Sequence, residues 1–310
     1  MNRLTEGVRV MAVWAVLAGW GCAKAQHDAS RNQAADSTAA STAAAPSVEL
    51  AYVTNEDSQD LTVIETATDR VIATIPVGTR PRGVKVSPDG RTVYVALSGS
   101  PKCPPSMPDE ECEKLQADKS KDGIAVVDVA ARAVVRVLPG GSDPEQFDVS
   151  LDGKRLYISN ENAGTASVVD VGSGKVLSTV KVGTEPEGVR LSPDGKTVWV
   201  TAESDQSLSV LDAATGQAIG KIGVGKRPRD IAFSPDGARA YSTAEVGGTV
   251  SVIDVAQRKV LTVIPMPEGT RPMGVRVSSD GQRVYVATGR GGTVEVIDAV
   301  TDKVIGSVKV

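Results

Sequence analysis

The residues of this chain best suited to chemistry are charged pairs that flank a proline in five short segments. The segments contain Arg80 and Arg82, Asp143 and Glu145, Glu185 and Glu187, Arg227 and Arg229, and Arg271 with Met273. Guanidinium and carboxylate groups gathered on one surface bind a charged or dipolar ligand or dock a protein. Two carboxylates such as Glu185 and Glu187 could instead act as general acid and base. The remaining alternative is that neighbouring segments neutralise each other in ion pairs, which contribute little when exposed.

Other groups that commonly carry catalysis or hold cofactors are scarce. The single histidine, His27, lies near the N-terminus, so the folded part has no imidazole to serve as a general base or haem ligand. Asp89, Asp194 and Asp236 recur in Ser-Pro-Asp-Gly segments, but each segment offers one carboxylate where calcium needs several, which favours turns. Trp199 is the one tryptophan outside the leader, so repeated tryptophan docking motifs for PQQ are absent. We therefore expect no metal, no catalytic residue and no cofactor, PQQ included.

A second feature that could support a function is the proline-rich, charged segment 98–123. It holds Cys103 and Cys112, and outside the cytosol such an even pair is expected to form a disulfide. A metal-binding pair is the weaker alternative, because neither a histidine nor a third thiol accompanies the two. Long loops on rigid scaffolds are often functional, so we predict a lid over the charged rim. The alternative is a surface loop that only shields a blade edge.

A repeat of about 42 residues positions these segments. A Ser-x-Asp-Gly turn occurs at residues 87–90, 150–153, 192–195, 234–237 and 278–281, and four short β-type runs surround it in each unit. A period of this length with four strands is the signature of a radially repeated sheet, a β-propeller. In that topology, the loops from fourth to first strands and from second to third strands meet at one mouth of the central channel.

The number of strands predicts an incomplete ring. Second, third and fourth strands each occur six times, whereas the first strand occurs five times, which is one strand short of six full blades. The array occupies residues 47–310 and leaves no room for another domain. We therefore predict an all-β propeller of about six four-stranded antiparallel blades, one of them incomplete, with residues 98–123 inserted.

The repeat also resembles a known family. Tyr52-Val53-Thr54-Asn55, followed by the segments at 61–64 and 77–81, looks like the YVTN family of β-propellers, and the resemblance covers residues 47–310. Segments 80–83, 143–147, 185–188 and 247–254 resemble the subgroup associated with PQQ-dependent catabolism of alcohols. This resemblance implies an exported accessory protein. Family members usually have seven blades, so the six repeats and the insertion are departures.

The first 46 residues are not expected to belong to the fold. Arg3 and Arg9 precede an apolar run that ends at Trp20, is too short to span a bilayer and suits a secretory signal peptide, residues 1–21. Residues 17–22 resemble a bacterial lipobox, which predicts lipidation of Cys22, and cleavage after Ala25 is the alternative. Residues 22–46 are rich in Ala, Ser and Thr, which predicts a disordered tether.

These observations predict a non-catalytic, exported binding or scaffold protein. We expect a periplasmic or outer-membrane-anchored lipoprotein that is monomeric and is accessory to a periplasmic oxidation or transport system. Its expected partner is an envelope protein or a small charged ligand at the channel mouth. The alternatives are a hydrolase or lactonase-like propeller enzyme and a periplasmic DNA-binding propeller. The excess of acidic residues, 38 against 34 basic, argues against a broad nucleic-acid footprint.

Overall fold

A computed structural model of the chain describes residues 49–102, 107–112 and 114–310, without the side chains of residues 109 and 112. The predicted signal peptide, the lipidation site Cys22 and the tether lie outside the described residues. Cys103 and the side chain of Cys112 lie outside them as well, so the predicted disulfide stays a prediction.

The described chain forms 23 β-strands in six antiparallel sheets, one for each blade. The strands of blades 1 to 3 are β1 (Leu50–Asn55), β2 (Asp60–Glu65), β3 (Arg70–Pro76), β4 (Pro81–Val86), β5 (Thr92–Leu97), β6 (Gly123–Asp128), β7 (Ala133–Leu138), β8 (Pro144–Val149), β9 (Arg155–Asn160), β10 (Thr165–Asp170) and β11 (Val176–Lys181). The strands of blades 4 to 6 are β12 (Pro186–Leu191), β13 (Thr197–Ala202), β14 (Ser207–Asp212), β15 (Ala218–Gly223), β16 (Pro228–Phe233), β17 (Arg239–Ala244), β18 (Thr249–Asp254), β19 (Lys259–Pro265), β20 (Pro272–Val277), β21 (Arg283–Thr288), β22 (Thr293–Asp298) and β23 (Lys303–Lys309).

The predicted fold class is confirmed. Blades 2 to 6 each have four strands in the order in which the chain visits them. Blade 1 has three strands among the described residues, and β1 occupies the place that the second strand takes in every other blade. The blade without a first strand is therefore blade 1.

The Ser-x-Asp-Gly segments form the hairpin turns between first and second strands. In blade 4, Ser192 Oγ donates to Asp194 Oδ1 at 2.6 Å, and the same oxygen accepts the Lys196 N–H at 3.0 Å. Gly195 has a φ of 70°, a left-handed conformation that glycine adopts without steric cost. The aspartate oxygen is thus engaged in closing the turn, as the sequence predicts.

Apolar side chains pack between successive blades and form five clusters. Each cluster takes an aromatic residue from the second strand of one blade and places it against the next blade. In blade 4 this residue is Trp199, which is 1% exposed and meets Phe233 of blade 5 edge to face at 5.2 Å between ring centroids. Branched aliphatic residues fill the rest of each interface, which explains how a chain with 3% aromatic residues builds this core.

The insertion between β5 and β6 contains the helical segments of the described chain. Helix α1 (Asp109–Cys112) is a single turn, and a 3₁₀ turn follows at Lys119–Lys121. Within the described ranges, neither these segments nor any other helix has the length and apolarity needed to cross a membrane.

Candidate functional site at the channel mouth

The five proline-centred segments lie at one end of the propeller, where each leads into a first strand. The residue before each proline is in the left-handed region, with φ from 47° at Arg80 to 57° at Arg271. In blades 3 to 6, the carbonyl oxygen of the residue before the proline accepts the N–H of the residue that follows the second strand of the same blade. In blade 2, the carbonyl oxygen of Thr79 accepts this N–H. In blade 4, Glu203 N–H donates to Glu185 O at 3.1 Å. This bond brings the two predicted loop sets together at the mouth.

The two charged positions of each segment have different surroundings. The residue after the proline is largely buried at Arg82, Glu145, Glu187 and Arg229, while Met273 takes this place in blade 6. The residue before the proline is more variable. The side chains of Arg227 and Arg271 are 49% and 31% exposed, whereas Asp143 is buried and accepts a hydrogen bond from Ser98 Oγ. Glu185 accepts one from Ser204 Oγ.

Arg82 joins blades 1, 2 and 3 at the mouth. Its guanidinium donates to Glu145 and lies 3.3 Å from Glu161 Oε2, both in blade 3. A third carboxylate, Glu56 of blade 1, approaches Arg82 Nε at 3.9 Å and Arg80 Nε at 3.8 Å. The predicted acidic and basic positions therefore meet as ion pairs between blades.

Arg229 is the centre of a matching cluster in blades 4 and 5. It lies 2.7 Å from Glu187 Oε1 and 3.8 Å from Glu245 Oε2, and it donates to Glu203. Arg227 Nε contacts Glu203 at 2.6 Å and Glu245 at 3.4 Å. A buried arginine among several carboxylates gains favourable interactions that offset much of its desolvation cost.

Four glutamates of these clusters were missed by the sequence reasoning. They are Glu56, Glu161, Glu203 and Glu245. Each is the first residue after the second strand of its blade, and a glutamate recurs at this place in four of the six repeats. That recurrence was the available signal.

Two neighbouring carboxyl groups at the mouth, Glu187 and Glu203, have pKa values shifted in opposite directions. Burial, reinforced by the charge of Glu203 and opposed by Arg229, holds the pKa of Glu187 well above its ordinary range. Burial also opposes ionisation of Glu203, but a hydrogen bond from Glu187 and the charges of Arg229 and Arg227 outweigh it and lower the pKa of Glu203. Of the two carboxyls, Glu187 therefore keeps its proton to the higher pH. The carboxyl partner of Glu187 is Glu203, not Glu185.

We expect the variant Glu187→Gln to keep the stability of the wild type within about 1 kcal/mol at or below about pH 4, where Glu187 is protonated in the folded and the unfolded chain and an amide mimics the protonated carboxyl. A carboxyl whose pKa is raised in the folded state stabilises the fold at pH values below its ordinary pKa. This stability is lost as pH rises through the folded-state pKa. As pH rises between these two pKa values, the variant therefore gains stability relative to the wild type, by up to about 1.4 kcal/mol per pH unit. Urea unfolding between about pH 5 and pH 8 measures this slope.

The control is Glu203→Gln. The lowered pKa of Glu203 contributes stability above the ordinary carboxyl pKa, and this is lost only as pH falls through its folded-state value. We expect a loss of about 2 kcal/mol, independent of pH above about 5, because Arg229 and Arg227 lose a charged partner. Equal slopes in the two variants would contradict the assignment of the proton to Glu187.

A second set of charged groups lies deeper, on the first strands that line the channel. Lys85 Nζ is 3.3 Å from Asp148 Oδ1, and Arg190 and Arg276 bind Asp230 at 3.0 and 2.7 Å. Asp148 also accepts the Leu191 N–H, and Asp230 accepts the Val275 N–H. The sequence reasoning did not single out these five residues, because alternation along a strand does not show that one face lines a channel.

The insertion is fixed at its base by one aspartate. Asp122 is 3% exposed in its side chain and accepts the Gly99 N–H at 2.7 Å and the Asp143 N–H at 3.0 Å. Further along, Lys102 binds Asp57 of blade 1 at 2.6 Å, and Asn162 of blade 3 donates to Ser100 Oγ. The described part of the insertion thus contacts blades 1 and 3 at the mouth.

We expect Asp122→Ala to release the insertion, because it leaves two buried backbone N–H groups without an acceptor, at about 1 to 3 kcal/mol each. Limited proteolysis should then cut residues 107–121 at least about tenfold faster than in the wild type. Asp118→Asn changes an exposed aspartate of the same segment and should leave the rate nearly unchanged. Unaltered cleavage in Asp122→Ala would show that other contacts hold the segment.

A groove of about 350 Å³ separates the insertion from the mouth loops of blades 1 and 2. Its charged lining residues carry both signs. They are Glu56, Asp57, Arg80, Lys102, Asp118 and Lys121. A larger recess of about 510 Å³ lies between the loops of blades 3 and 4, beside Glu161, Lys181 and Glu185. No group of three or more potential metal ligands occurs among residues 49–102, 107–112 and 114–310.

Comparison with known proteins supports the propeller assignment. A YNCE-like β-propeller family model matches residues 109–191, and a model described as Lactonase, 7-bladed β-propeller matches residues 189–305. Both support a β-propeller family, and the PQQ-associated subgroup stays a prediction. No curated protein matches the chain.

Solved structures show the same fold. The structure titled "Kuenenia stuttgartiensis Hydrazine Synthase" has a TM-score of 0.71 and 20% sequence identity, with 84% of this chain and 83% of that chain covered. A functionally unknown protein from Desulfotomaculum acetoxidans DSM 771 has a TM-score of 0.67 and 17% identity, with 84% and 81% covered. At these identities the likeness concerns the fold alone.

Proposed function

We propose that this β-propeller is a non-catalytic binding protein that holds a small charged ligand or a partner protein at the channel mouth. The observation that carries the proposal is the groove under the insertion, whose walls present three acidic and three basic side chains. Side chains of both signs in a concave site favour a dipolar or zwitterionic ligand, because each end of such a ligand meets an opposite charge.

The buried and exposed charges of the mouth have separate roles in this proposal. Arg82 and Arg229, with their glutamates, tie neighbouring blades together and form a rigid base. Arg80, Lys102 and Lys121 line the groove, and their present partners are acidic groups at 3.8, 2.6 and 3.5 Å. The pairs of Lys102 and Lys121 are exposed and weak enough to exchange for a ligand, because exposed ion pairs contribute about 0 to 1 kcal/mol each.

We further propose a cell-envelope location and an accessory role in a periplasmic oxidation or transport system. The support is the predicted signal peptide at 1–21, the lipobox-like segment ending at Cys22, the polar tether at 22–46 and the resemblance to the exported subgroup. A tether of this kind would hold the mouth away from a membrane surface.

Thermal unfolding of the full chain with added compounds tests the binding proposal. The probes are glycine betaine, lysine, succinate and inorganic phosphate. We expect at least one of the dipolar probes to raise the unfolding temperature, and Arg80→Gln to remove the increase, while Arg91→Gln retains it. Arg91 is exposed on a turn at the opposite end of the propeller. An increase that persists in Arg80→Gln, or none with any probe, would overturn the groove as the binding site.

A hydrolase is the second candidate, favoured by two observations. The Lactonase-type family model covers residues 189–305, and the pKa values of Glu187 and Glu203 are shifted apart, as in carboxyl pairs that perform general acid–base catalysis. Lactone and ester hydrolysis by the wild type, compared with Glu187→Gln and Glu185→Gln, distinguishes the candidates. Turnover abolished by Glu187→Gln but not by Glu185→Gln would establish the enzyme and displace the binding proposal.

A further inference from the structure

Lys85 is the one lysine among the five charged residues that line the channel. It is the fifth residue of β4, and its strand partner in β5 is Tyr94, whose hydroxyl stays neutral because burial raises its pKa. Lys85 Nζ lies 3.3 Å from Asp148 Oδ1, and the side chain of Lys85 is 22% exposed. Within the described residues this ion pair is its one polar contact, although an ammonium group has three N–H donors.

The carboxylate that faces Lys85 is shared with other donors. Asp148 Oδ1 also accepts the Val149 N–H at 3.0 Å, and Asp148 Oδ2 accepts the Leu191 N–H at 2.9 Å. Both oxygens of Asp148 are therefore already hydrogen-bonded to backbone groups. The charge of Lys85 is compensated only in part by this contact, because a carboxylate divides its acceptor capacity among its donors.

A second cation lies on the other side of Asp148. Arg190 directly precedes Leu191 in β12, and the Leu191 N–H donates to Asp148. The Arg190 guanidinium binds Asp230 at 3.0 Å and donates to Ile231 O at 2.9 Å, so its position is fixed by blade 5. Lys85 thus lies near a buried guanidinium that cannot move away from it.

These surroundings favour the neutral amine of Lys85. Burial lowers the pKa of Lys85 to about 8, and the charge of Arg190 adds to this effect more than Asp148 opposes it. The charge of Arg276 lowers this pKa further, and that of Asp230 opposes the change. At pH 7 an amine with a pKa of about 8 is roughly one-tenth neutral, whereas an ordinary lysine is neutral in about 0.04% of molecules.

We propose that Lys85 is a covalent capture site in the central channel, where its amine condenses with a small aldehyde. The site is separate from the groove under the insertion, so it goes beyond the proposed binding function. Lysines that are desolvated or placed beside another cation are the ones that act as nucleophiles toward carbonyl groups. Because about one-fifth of the Lys85 side chain is exposed, the channel admits a small molecule to the amine.

Capture forms an imine and releases one molecule of water. The lone pair of Lys85 Nζ attacks the carbonyl carbon, and a C–N bond forms. The two hydrogens of the neutral amine leave with the carbonyl oxygen as water, and a C=N bond remains. The reaction therefore needs neither an oxidant nor a reductant. The Asp148 carboxylate, 3.3 Å from Nζ, favours the protonated form of the imine.

Reductive trapping on the full chain tests the proposal. The probe is acetaldehyde with cyanoborohydride, which reduces the imine to a stable secondary amine that peptide mass spectrometry locates. At pH 7 we expect Lys85 to be labelled at least about tenfold faster than Lys154 and Lys196, because its larger neutral fraction outweighs its restricted access. These two exposed turn lysines lie 3.9 and 3.6 Å from an aspartate, so they control for a neighbouring carboxylate without burial. Labelling of Lys85 no faster than theirs would overturn the proposal.

The pH dependence of the labelling rate gives a second readout. The rate at Lys85 should be half-maximal near pH 8 and level off above it. Asp148→Asn should lower this midpoint by about 1 pH unit, because it removes a charge that favours the ammonium, while its amide oxygen still accepts the Leu191 N–H. Asp57→Asn, at an exposed position, should leave the midpoint unchanged. A rate that still rises at about pH 10, or a midpoint that Asp148→Asn does not move, would overturn the proposal.

Discussion

Replacing Tyr241 with alanine should lower the free energy of unfolding by about 4 kcal/mol, whereas Tyr285→Ala should lower it by about 1 kcal/mol. The two tyrosines hold the same position in blades 5 and 6. Tyr241 is 1% exposed and packs in the cluster between blades 5 and 6, so its removal leaves a cavity between two sheets. Tyr285 is half-buried and belongs to none of the apolar clusters formed by the described residues. Urea unfolding of both variants under identical conditions measures the difference.

The comparison tests the unequal packing of the ring directly, because residue type and repeat position are the same in both variants. Tyr94→Ala, in the buried interface between blades 2 and 3, is a further control and should resemble Tyr241→Ala. Losses of similar size at Tyr241 and Tyr285 would show that blade 6 packs against another blade as tightly as the others do.

The second large effect is expected at Arg229. Arg229→Met should lower the free energy of unfolding by about 3 kcal/mol or more, because it removes the cation shared by Glu187, Glu203 and Glu245. The methylenes of methionine replace part of the packing, so the loss reports mainly on the uncompensated carboxylates. The raised pKa of Arg229, in which the charges of these glutamates outweigh burial, agrees with this direction.

Arg271→Met is the matched control for that experiment. Arg271 lies at the same mouth, with its side chain 31% exposed and Glu245 at 3.6 Å, so its loss should cost less than about 1 kcal/mol. Thermal and urea unfolding of both variants give the comparison. Arg229→Lys should recover part of the stability. Its ammonium group restores the charge but lacks the planar guanidinium geometry that binds several carboxylates at once. Equal small losses at Arg229 and Arg271 would contradict a structural role for the buried cluster.

The fold was largely predictable because its signals are local and repeated. Alternating apolar residues, Ser-x-Asp-Gly turns and a constant period give the number of strands, and the described residues contain the 23 that the repeat predicts. The position of the five proline-centred segments before the first strands also follows from the repeat, since the direction of each strand is set by its place in it. These signals do not show which loop side chains are buried or which residues those side chains contact.

Glu187 and Asp122 show which contacts of the site the sequence did not predict. Glu187 was paired in sequence with Glu185, but a proline separates them and the backbone turns between them, so Glu187 meets Glu203. Asp122 looked like one of many acidic residues of the insertion, yet it holds the base of that segment. Such contacts join residues 16 to 23 positions apart in different loops, and sequence periodicity does not report them.

By itself, the sequence determined the type and order of the strands, the period of the blades and the set of charged residues available at the mouth. These depend on patterns within about 42 residues, which local backbone preferences and side-chain alternation express directly. The tertiary structure alone decided which charges are buried in pairs, which of two carboxyls keeps its proton to the higher pH, and which charged side chains of different blades meet in the channel. Those properties depend on distances between blades and on desolvation, and both arise only when the sheets pack around a common axis.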